Sequence, residues 1–380
     1  MSRTLIITND FPPRAGGIES FVHELALRRP AGSVVVYCSS PSSADAARDP
    51  HFDLRQPFPV VRDAAGVLLP TPRVARRARV IAQMEECDSI LYGAAAPLGL
   101  LAPALPVERQ IALTHGHEAW WASVPGPRET LRRIGETVDT ITYLGAYTRR
   151  RLSHALSAAA VRRMRHLPPG VDTTRFRPGA GGNEVRARYR LGERPVVVCV
   201  SRLVARKGQD ILLRAWPRVL ADVPDAALLI VGDGPDARRL RSAAQGLDSV
   251  LFSGPVPAQR LPAFYDAGDV FAMPCRTRRA GLEVEGLGMV YLEASASGLP
   301  VVAGDSGGAP DSVLDGETGI VVDGSLPGPT ARALIPLLKD PTRAAHMGAR
   351  GREWVSQEWT WERSAERLAT LLEPDRAPSP

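Results

Sequence analysis

The chain has 380 residues, of which 44% are hydrophobic and 23% are charged. This length and composition exclude a disordered protein and a small single-core domain, and they are typical of two globular domains of roughly 150 to 200 residues each. The four cysteines lie far apart without C-x-x-C spacing, which argues against a structural zinc site and a disulfide scaffold. The apolar runs are too short for a signal peptide or a membrane-spanning helix, so we expect a cytoplasmic protein.

The net charge of +6 is unevenly distributed along the chain. Residues 1–168 contain 21 Arg and no Lys against 15 acidic residues, whereas residues 169–380 contain 26 basic and 26 acidic residues. The excess suggests an anionic partner for the first half, such as a membrane surface or a phosphorylated substrate. An Arg-rich composition that spreads charge by chance is the alternative. We expect no nucleic acid among the partners.

The first half of the chain alternates short β-rich runs with helix-like stretches. The β-rich runs read TLIIT, SVVVYC, SILYG, IALTHG and TITYLG. Between the first two runs, GIESFVHELALRR places Ile18, Phe21, Val22 and Leu25 on one helical face.

The second half repeats this scheme with the runs PVVVCVS, ALLIVG, SVLFSG, DVFAMP, LPVVAG and GIVVDG. Continuous apolar strands that alternate with helices are typical of a parallel sheet covered on both faces. The sequence therefore predicts an α/β protein with two Rossmann-like, doubly wound domains. Ligands bind such sheets at the carboxyl ends of the strands, so we expect the active site in a cleft between the domains.

The segment HLPPGVDTTRFRP marks the predicted domain boundary, because its prolines and glycine break any regular element. We expect an N-terminal domain over residues 1–168 and a C-terminal domain over residues 169–355. Residues 356–380 are predicted to contain a helix that crosses back to the N-terminal domain, followed by a frayed tail.

Two cations follow the first strand of the second half, in SRLVARKG. Arg202 and Lys207 lie at the carboxyl end of that strand, beside the start of a helix-like stretch. Arg can grip a phosphate with two hydrogen bonds and Lys acts as a point charge, so the pair predicts an anion site, most simply for a diphosphate. Two solvated surface cations are the alternative.

Three acids and two glycines share the stretch EVEGLGMVYLEA. Gly286 and Gly288 allow a ligand to approach the backbone and start a helix whose free amides form a second phosphate cradle. Glu293, about one and a half turns inside that helix, suits a ribose diol. Glu285 is expected near the phosphates or the transferred group, and Glu283 is expected to face solvent or the arginines of RTRRAG and to be dispensable.

Further polar features follow strands in the first half. Gly16 and Gly17 form a turn before the first helix, and their amides can approach an anion. Asp10 at a strand end is as typical of an Asx turn as of a ligand group. His115 and His117 in THGHE have a spacing compatible with a metal, but no matching cluster is evident, and a polar contact to substrate fits better. We therefore predict no metal site.

Together these motifs resemble the retaining GT-B glycosyltransferases of family four across the whole chain. The matching motifs are Gly16 with Gly17, His115 in THG, Arg202 with Lys207, and Glu285 with Glu293, followed by ASASGLPVVAGDSGGAPD.

The resemblance implies a role for each matching residue. Arg202 and Lys207 would hold the donor diphosphate and stabilise the leaving group, Glu293 would bind the ribose, Glu285 would contact the transferred sugar, and His115 would lie beside the reaction centre. The implied nucleotide-sugar site also includes Gly16, Gly17, Val256, Gly286, Leu287, Gly288 and Val290, and the implied acceptor site includes Asp10, His115 and His117.

The resemblance further implies transfer of mannose from GDP-mannose to phosphatidylinositol monomannoside, as its second mannose, in α-1,6 linkage. The reaction would retain configuration and need neither metal nor cofactor, with the leaving phosphate taking the acceptor proton. The protein would lie at the inner face of the cell membrane, on its anionic surface. A family-four transferase with another nucleotide sugar or acceptor, a sugar-nucleotide epimerase of the same fold, and a non-catalytic nucleotide-binding module are the alternatives.

The stretch TPRVARRARVIAQM is a candidate for the contact with the membrane surface. Val74, Ala78 and Ile81 share one face of the predicted helix, and the helix carries Arg73, Arg76 and Arg77 elsewhere. The pattern is compatible with a helix that lies on an anionic bilayer, and equally with a helix packed on its own sheet.

Overall fold

The computed structural model describes residues 2–14, 16–49 and 51–373, so the end of the predicted tail, residues 374–380, lies outside the described residues. The described chain forms two compact units, each with its own parallel sheet. Unit 1 comprises the described residues within Met1–Pro169 and Trp361–Pro380, and unit 2 is Gly170–Thr360.

Unit 1 is built on a parallel sheet of apolar strands. Its strands, among the described residues, are β1 (Thr4–Thr8), β2 (Val34–Cys38), β3 (Val60–Arg62), β4 (Ser89–Tyr92), β5 (Arg109–Ala112), β6 (Thr140–Tyr143) and β7 (Arg165–His166). They pair in the order β3-β2-β1-β4-β5-β6-β7. Because β1, β4 and β5 are neighbours, the loops that follow them lie side by side at one edge of the sheet.

The helices of unit 1 connect these strands. They are α1 (Gly17–Leu27), α2 (Ser43–Arg48), α3 (Pro72–Met84), α4 (Glu118–Trp121), α5 (Pro125–Thr137), α6 (Ala146–Ser153) and α7 (Ala158–Arg162). Every residue of β1, β2 and β4 is buried, as the continuous apolar runs predict for a sheet covered on both faces.

The apolar face of α3 belongs to the core of unit 1. Val74, Ala78 and Ile81 are at most 5% exposed and pack in the main hydrophobic cluster. The helix begins where the Thr71 hydroxyl accepts the Val74 N–H, with Pro72 in its first turn. Of the two alternatives that the sequence allows for this helix, the structure therefore shows packing on the sheet, and this face is not available to a bilayer.

Unit 2 repeats the architecture. Its strands, within the described chain, are β8 (Val196–Val200), β9 (Ala227–Val231), β10 (Val250–Gly254), β11 (Val270–Met273), β12 (Val301–Gly304) and β13 (Gly319–Val322). They pair in parallel in the order β10-β9-β8-β11-β12-β13. The loops after β8, β11 and β12 are therefore neighbours. The helices of this unit are α8 (Gly182–Arg188), α9 (Gln209–Asp222), α10 (Ala237–Ala243), α11 (Leu261–Asp266), α12 (Met289–Ala296), α13 (Pro327–Lys339) and α14 (Pro341–Glu358).

The chain returns to unit 1 with α15 (Trp361–Leu372). The Trp361 ring packs 6.0 Å from the ring of Phe21 in α1, and the Ser364 hydroxyl donates a hydrogen bond of 2.8 Å to the Pro168 carbonyl. The C-terminal segment is predicted from residue 356, but α14 continues past that point because Val355 is fully buried and holds its last turn in unit 2.

Candidate active site

In unit 1, polar groups at the carboxyl ends of β1, β4 and β5 lie close together. The Thr8 hydroxyl accepts the N–H of Asp10 across 2.9 Å and faces Gly93. A Cβ on Gly93 would lie only 2.4 Å from the Thr8 Oγ1, so only glycine fits between the two strands. The Gly93 carbonyl oxygen then lies 2.5 Å from the Nε2 of His115.

This contact assigns the tautomer of His115, because a carbonyl oxygen can only accept. Burial lowers the pKa of His115 below its ordinary value, which keeps the imidazole neutral near pH 7. A neutral imidazole has one donor and one acceptor. The proton is therefore on Nε2, and Nδ1, for which the described residues supply no hydrogen-bond partner, is the acceptor that His115 offers.

Glu118 organises both histidines of the HGHE segment. Its side chain is fully buried, and its Oε2 accepts the backbone N–H of His115 across 2.9 Å. Its Oε1 lies 3.5 Å from the Nε2 of His117, whose side chain is 40% exposed. The two imidazole rings stack with centroids 6.3 Å apart. The structure thus brings His115 and His117 together, and Glu118 is a residue of this site that the sequence analysis did not identify.

The Gly16–Gly17 turn lies at the start of α1, as predicted, but the first turn already contains an acid. A Cβ on Gly16 would lie 2.1 Å from the Glu19 Oε2, so the Glu19 carboxylate lies directly against the turn. Glu19 is 8% exposed, and burial raises its pKa. A carboxylate near the first turn of a helix interacts favourably with the free amides there. In the sequence, Glu19 is marked only as a position of an amphipathic helix.

In unit 2, the loop after β8 buries Lys207. Lys207 is 8% exposed and ends one turn of 3₁₀ helix, Ala205–Lys207. The next residue, Gly208, has a φ of 79°, and a Cβ there would lie 1.9 Å from the Pro274 carbonyl oxygen. Glycine is required at this position on both counts, which lets α9 start close against the end of β11.

Glu285 is the centre of the polar cluster in this unit. It is 7% exposed, and its Oε2 accepts hydrogen bonds of 2.7 Å from both the Lys207 Nζ and the Arg206 Nη1. Burial alone would raise the pKa of Glu285, but the charges of Lys207 and Arg206 outweigh it and lower the pKa. The predicted partner of Lys207, Arg202, is exposed, and its guanidinium hydrogen-bonds to none of the described residues.

The loop that follows Glu285 is held by the segment after β12. The Gly308 N–H donates a hydrogen bond of 2.8 Å to the Glu285 carbonyl, and the Ser312 hydroxyl donates one of 2.7 Å to the Leu287 carbonyl. Gly288, with a φ of 88°, caps α12. The predicted site residues of this segment extend from Glu285 to the first turn of α12: Glu285, Gly286, Leu287, Gly288 and Val290.

The other two acids of EVEGLGMVYLEA have separate partners. Glu293 lies in α12, and its Oε2 accepts a hydrogen bond of 2.6 Å from the Tyr265 hydroxyl; burial raises the pKa of Glu293. Glu283 pairs with Arg278 and Arg279 at 3.3 and 3.2 Å, in line with the prediction that it faces the arginines of RTRRAG. Val256, the predicted base contact, is half-buried in the loop after β10.

In the ranges 2–14, 16–49 and 51–373, no group of three or more His, Cys, Asp or Glu side chains could hold a metal ion. No helix in the described part of the chain is long and apolar enough to span a bilayer.

Two Rossmann-like units in one chain, with polar side chains at the carboxyl ends of their strands, are the arrangement predicted for a GT-B glycosyltransferase. The predicted fold is confirmed by comparison with solved structures. The TM-score is 0.79 with Anabaena HepE in complex with UDP, over 97% of this chain and 99% of that one, at 19% identity. It is 0.77 with sucrose-phosphate synthase from Thermosynechococcus elongatus, over 97% and 98%, at 23% identity.

Sequence comparison narrows the class. Residues 194–340 match the family described as "Glycosyl transferases group 1". The chain is 49% identical, over 99% of its length and 100% of the relative, to the GDP-mannose-dependent α-(1-6)-phosphatidylinositol monomannoside mannosyltransferase of Mycobacterium tuberculosis. The enzyme of the same name from Mycolicibacterium smegmatis is 48% identical over 97% of each chain. In Corynebacterium glutamicum, a GDP-mannose-dependent mannosyltransferase named for monoacylated phosphatidylinositol monomannoside is 44% identical over 98% of each.

The chain therefore belongs to the GT-B glycosyltransferases of family four, and it is an enzyme. The residues that the sequence analysis missed are Arg206, Glu118, Glu19 and Tyr265. Arg206 and Glu118 had a signal in the sequence, since they stand directly beside Lys207 and His117.

Proposed function

We propose that this glycosyltransferase transfers mannose from GDP-mannose to phosphatidylinositol monomannoside in α-(1-6) linkage, with retention of configuration. One observation carries the proposal: three relatives named for this donor and acceptor are 44–49% identical to the chain over at least 97% of its length. The cation and carboxylate cluster of unit 2 supplies the chemistry that such a donor needs.

The donor is assigned to unit 2. Lys207 and Arg202 would bind the diphosphate, Lys207 as a buried point charge and Arg202 with the two-pronged geometry of a guanidinium. The amides at the start of α12 would add to this cradle. Glu293, already a hydrogen-bond acceptor in the free protein, would take a ribose hydroxyl, and the loop at Val256 would contact the base.

The chemical step is a displacement on one face of the sugar. The bond between the anomeric carbon and the diphosphate oxygen breaks, and a bond from that carbon to an acceptor hydroxyl oxygen forms on the same side. The acceptor proton passes to the leaving phosphate oxygen, so that the products are GDP and the mannosylated lipid. Lys207 and Arg202 stabilise the charge that develops on the leaving diphosphate. Trapping of a glycosyl-enzyme bond on any carboxylate would falsify this step.

The acceptor is assigned to unit 1. His115 would accept a hydrogen bond from a sugar hydroxyl through Nδ1, since its Nε2 is bound to Gly93. His117, which is exposed and lies 3.5 Å from the Glu118 carboxylate, and Asp10 would make further polar contacts to the acceptor. This division is the one that the resemblance to the family implies.

We further propose that the reaction needs no metal, because cations of the protein supply the positive charge at the diphosphate. Turnover after dialysis against EDTA should equal that of untreated enzyme. Loss of activity that Mg²⁺ or Mn²⁺ restores would contradict this part of the proposal.

The membrane surface is proposed to meet the exposed side of α3 and the segment before it. Arg76 and Arg77 are exposed on α3, and Val67 and Leu69, 57% and 54% exposed, precede it. With the apolar face of α3 packed in the core, the contact would combine arginine charge with these few apolar side chains, so it would be peripheral and sensitive to salt.

The test is a product assay. Purified protein is incubated with labelled GDP-mannose and phosphatidylinositol monomannoside, and a dimannoside is the expected product. Donor hydrolysis with UDP-glucose in place of GDP-mannose tests for another nucleotide sugar. Turnover of the donor without lipid, with interconversion of free sugar nucleotides, would indicate the epimerase alternative instead.

A further inference from the structure

The carboxylate of Glu285 is held by two cations through one of its two oxygens. Lys207 Nζ and Arg206 Nη1 both lie 2.7 Å from Oε2. Within the described chain, Oε1 has no hydrogen-bond partner, although the residue is only 7% exposed. Oε1 is not among the atoms of the described residues that are fully buried without a partner, so it keeps some solvent access and is the oxygen left for a ligand.

Lys207 and Arg206 differ in whether they can stay paired with Glu285 when the donor binds. Lys207 is the cation proposed above to bind the leaving diphosphate, so donor binding draws its charge toward the phosphates. Arg206 reaches the carboxylate from the neighbouring position in the same 3₁₀ turn. A guanidinium keeps its charge and its planar hydrogen-bond geometry in such a site, whereas an ammonium is a freely rotating point charge.

The backbone of Arg206 is held by the loop after β11. Its carbonyl oxygen accepts the N–H of Arg276 across 2.8 Å. The Arg276 guanidinium in turn makes two hydrogen bonds to Asp210, of 2.9 and 3.0 Å, at the start of α9. The 3₁₀ turn that carries Arg206 is therefore tied both to the loop after β11 and to α9, so that its side chain is presented to Glu285 from a rigid base.

We propose that Arg206 is a positioning residue that holds Glu285 ionised and oriented through Oε2, so that Oε1 can bind a hydroxyl of the transferred sugar while Lys207 serves the diphosphate. The proposal rests on the proposed function for the identity of the sugar and the diphosphate. The arrangement of Arg206, Lys207 and Glu285 does not depend on it.

The kinetic test compares Arg206→Gln with Arg206→Lys, and uses Arg238→Gln, an exposed arginine on α10, as the matched control. In Arg206→Gln, Lys207 is the remaining cation that pairs with the Glu285 carboxylate. We therefore expect kcat/KM for GDP-mannose to fall roughly 10- to 100-fold. We also expect the acid limb of its pH profile to move to higher pH. Arg206→Lys should restore most of the activity, and Arg238→Gln should match the wild type.

A second measurement needs no substrate. The side-chain carboxyl carbon of Glu285 is titrated by ¹³C NMR in ligand-free wild type and in Arg206→Gln, with Glu285→Gln to assign the signal. The pKa of Glu285 should rise in Arg206→Gln. The other titratable groups that face Glu285 are the Cys275 thiol and the Tyr291 hydroxyl; burial raises the pKa of Cys275 to about 11 and that of Tyr291 well above its ordinary value, so neither titrates in the acid range.

The two measurements separate the two proposals. If wild type makes no dimannoside but the Glu285 pKa rises in Arg206→Gln, the substrate assignment fails and the positioning role stands. If the pKa is unchanged, or if Arg206→Gln keeps wild-type kcat/KM and pH profile, the positioning role is overturned. A loss of activity in Arg206→Gln with an unshifted pH profile and no rescue by Lys would mean a merely structural role, and would also overturn it.

Discussion

The Nε2–H of His115 donates a hydrogen bond to the carbonyl oxygen of Gly93 across 2.5 Å, and this contact decides which ring nitrogen is free. Position 93 must be glycine for this arrangement, because Thr8 leaves no room for a side chain there. The loops after three neighbouring strands thus define the hydrogen-bonding character of one histidine.

Gly93→Ala should disturb His115 without touching it directly. The new Cβ would lie 2.4 Å from the Thr8 Oγ1, so the backbone must shift and move the carbonyl from Nε2. We expect turnover to fall roughly 10- to 100-fold and the ¹⁵N shifts of the His115 ring to show a mixture of tautomers. Gly66→Ala, where a Cβ would meet nothing within 4 Å, is the control and should be neutral. Wild-type turnover in Gly93→Ala would refute this role.

Glu285→Gln and Glu283→Gln should differ sharply although the two acids are two residues apart. Glu285 is buried between Lys207 and Arg206, and we expect its replacement to lower kcat/KM about 100-fold. Glu283 pairs with Arg278 and Arg279 in a partly exposed turn, and we expect a change of about twofold or less. Steady-state kinetics on folded variants decide the matter, and equal losses in both would contradict the assignment.

Asp63→Asn should destabilise unit 1. Asp63 is 6% exposed and accepts hydrogen bonds from Tyr37 and, twice, from Arg73. Arg73 holds the pKa of Asp63 well below its ordinary value, against the effect of burial. We expect a loss of about 2–3 kcal/mol in unfolding free energy at pH 7, measured in urea.

The pH dependence of this effect has a defined sign. Because the folded-state pKa of Asp63 is lowered, its contribution is complete above the unfolded pKa of about 3.9 and is lost as pH falls below that value. The stability difference between wild type and Asp63→Asn should therefore shrink toward pH 3. A difference that stays constant from pH 7 to pH 3 would exclude the ion pair as its cause.

Glu19→Gln should stabilise unit 1 at pH 7, whereas Asp63→Asn should destabilise it. Burial raises the folded-state pKa of Glu19 above 4.5, so its ionisation costs stability as pH rises from that value through the folded pKa. The amide should raise stability at pH 7 by on the order of 1 kcal/mol and flatten that part of the pH profile. Glu24→Gln, which removes an ion pair with Arg28 on the same helix, should not be stabilising. Thermal melts from pH 4 to pH 8 test both, and a Glu19→Gln protein less stable than wild type at pH 7 would contradict the prediction.

Arg76→Gln with Arg77→Gln should weaken membrane binding. Both arginines are exposed on α3, and each basic residue near an anionic surface contributes about 1 kcal/mol. We expect roughly a 30-fold weaker partition onto vesicles of acidic phospholipid for the double variant, and weaker binding of the wild type as salt rises. Arg238→Gln on unit 2 is the control. Equal binding of wild type to neutral and acidic vesicles would argue against an electrostatic contact.

Much of this architecture could be predicted because its signals are local. Apolar runs such as VVVYC and ALLIV mark strands buried on both faces, and turns such as the one at Gly288 mark where helices start. The order of strands and helices, and the placement of His115, Lys207, Glu285 and Glu293 after strands or in the helix that follows, could be read from sequence alone.

What the sequence by itself determined is therefore the doubly wound fold and the short list of residues at its strand ends. The tertiary structure decided which side chains contact one another. The spacing in SRLVARKG predicted an anion site of Arg202 and Lys207, but it did not reveal that Arg206 contacts Glu285, because the direction of a side chain in a 3₁₀ turn depends on the loops packed around it. The same holds for α3, whose periodicity specified an apolar face but not that the face would be buried in its own unit. Periodicity and spacing are properties of one segment, whereas contacts belong to segments far apart in the chain.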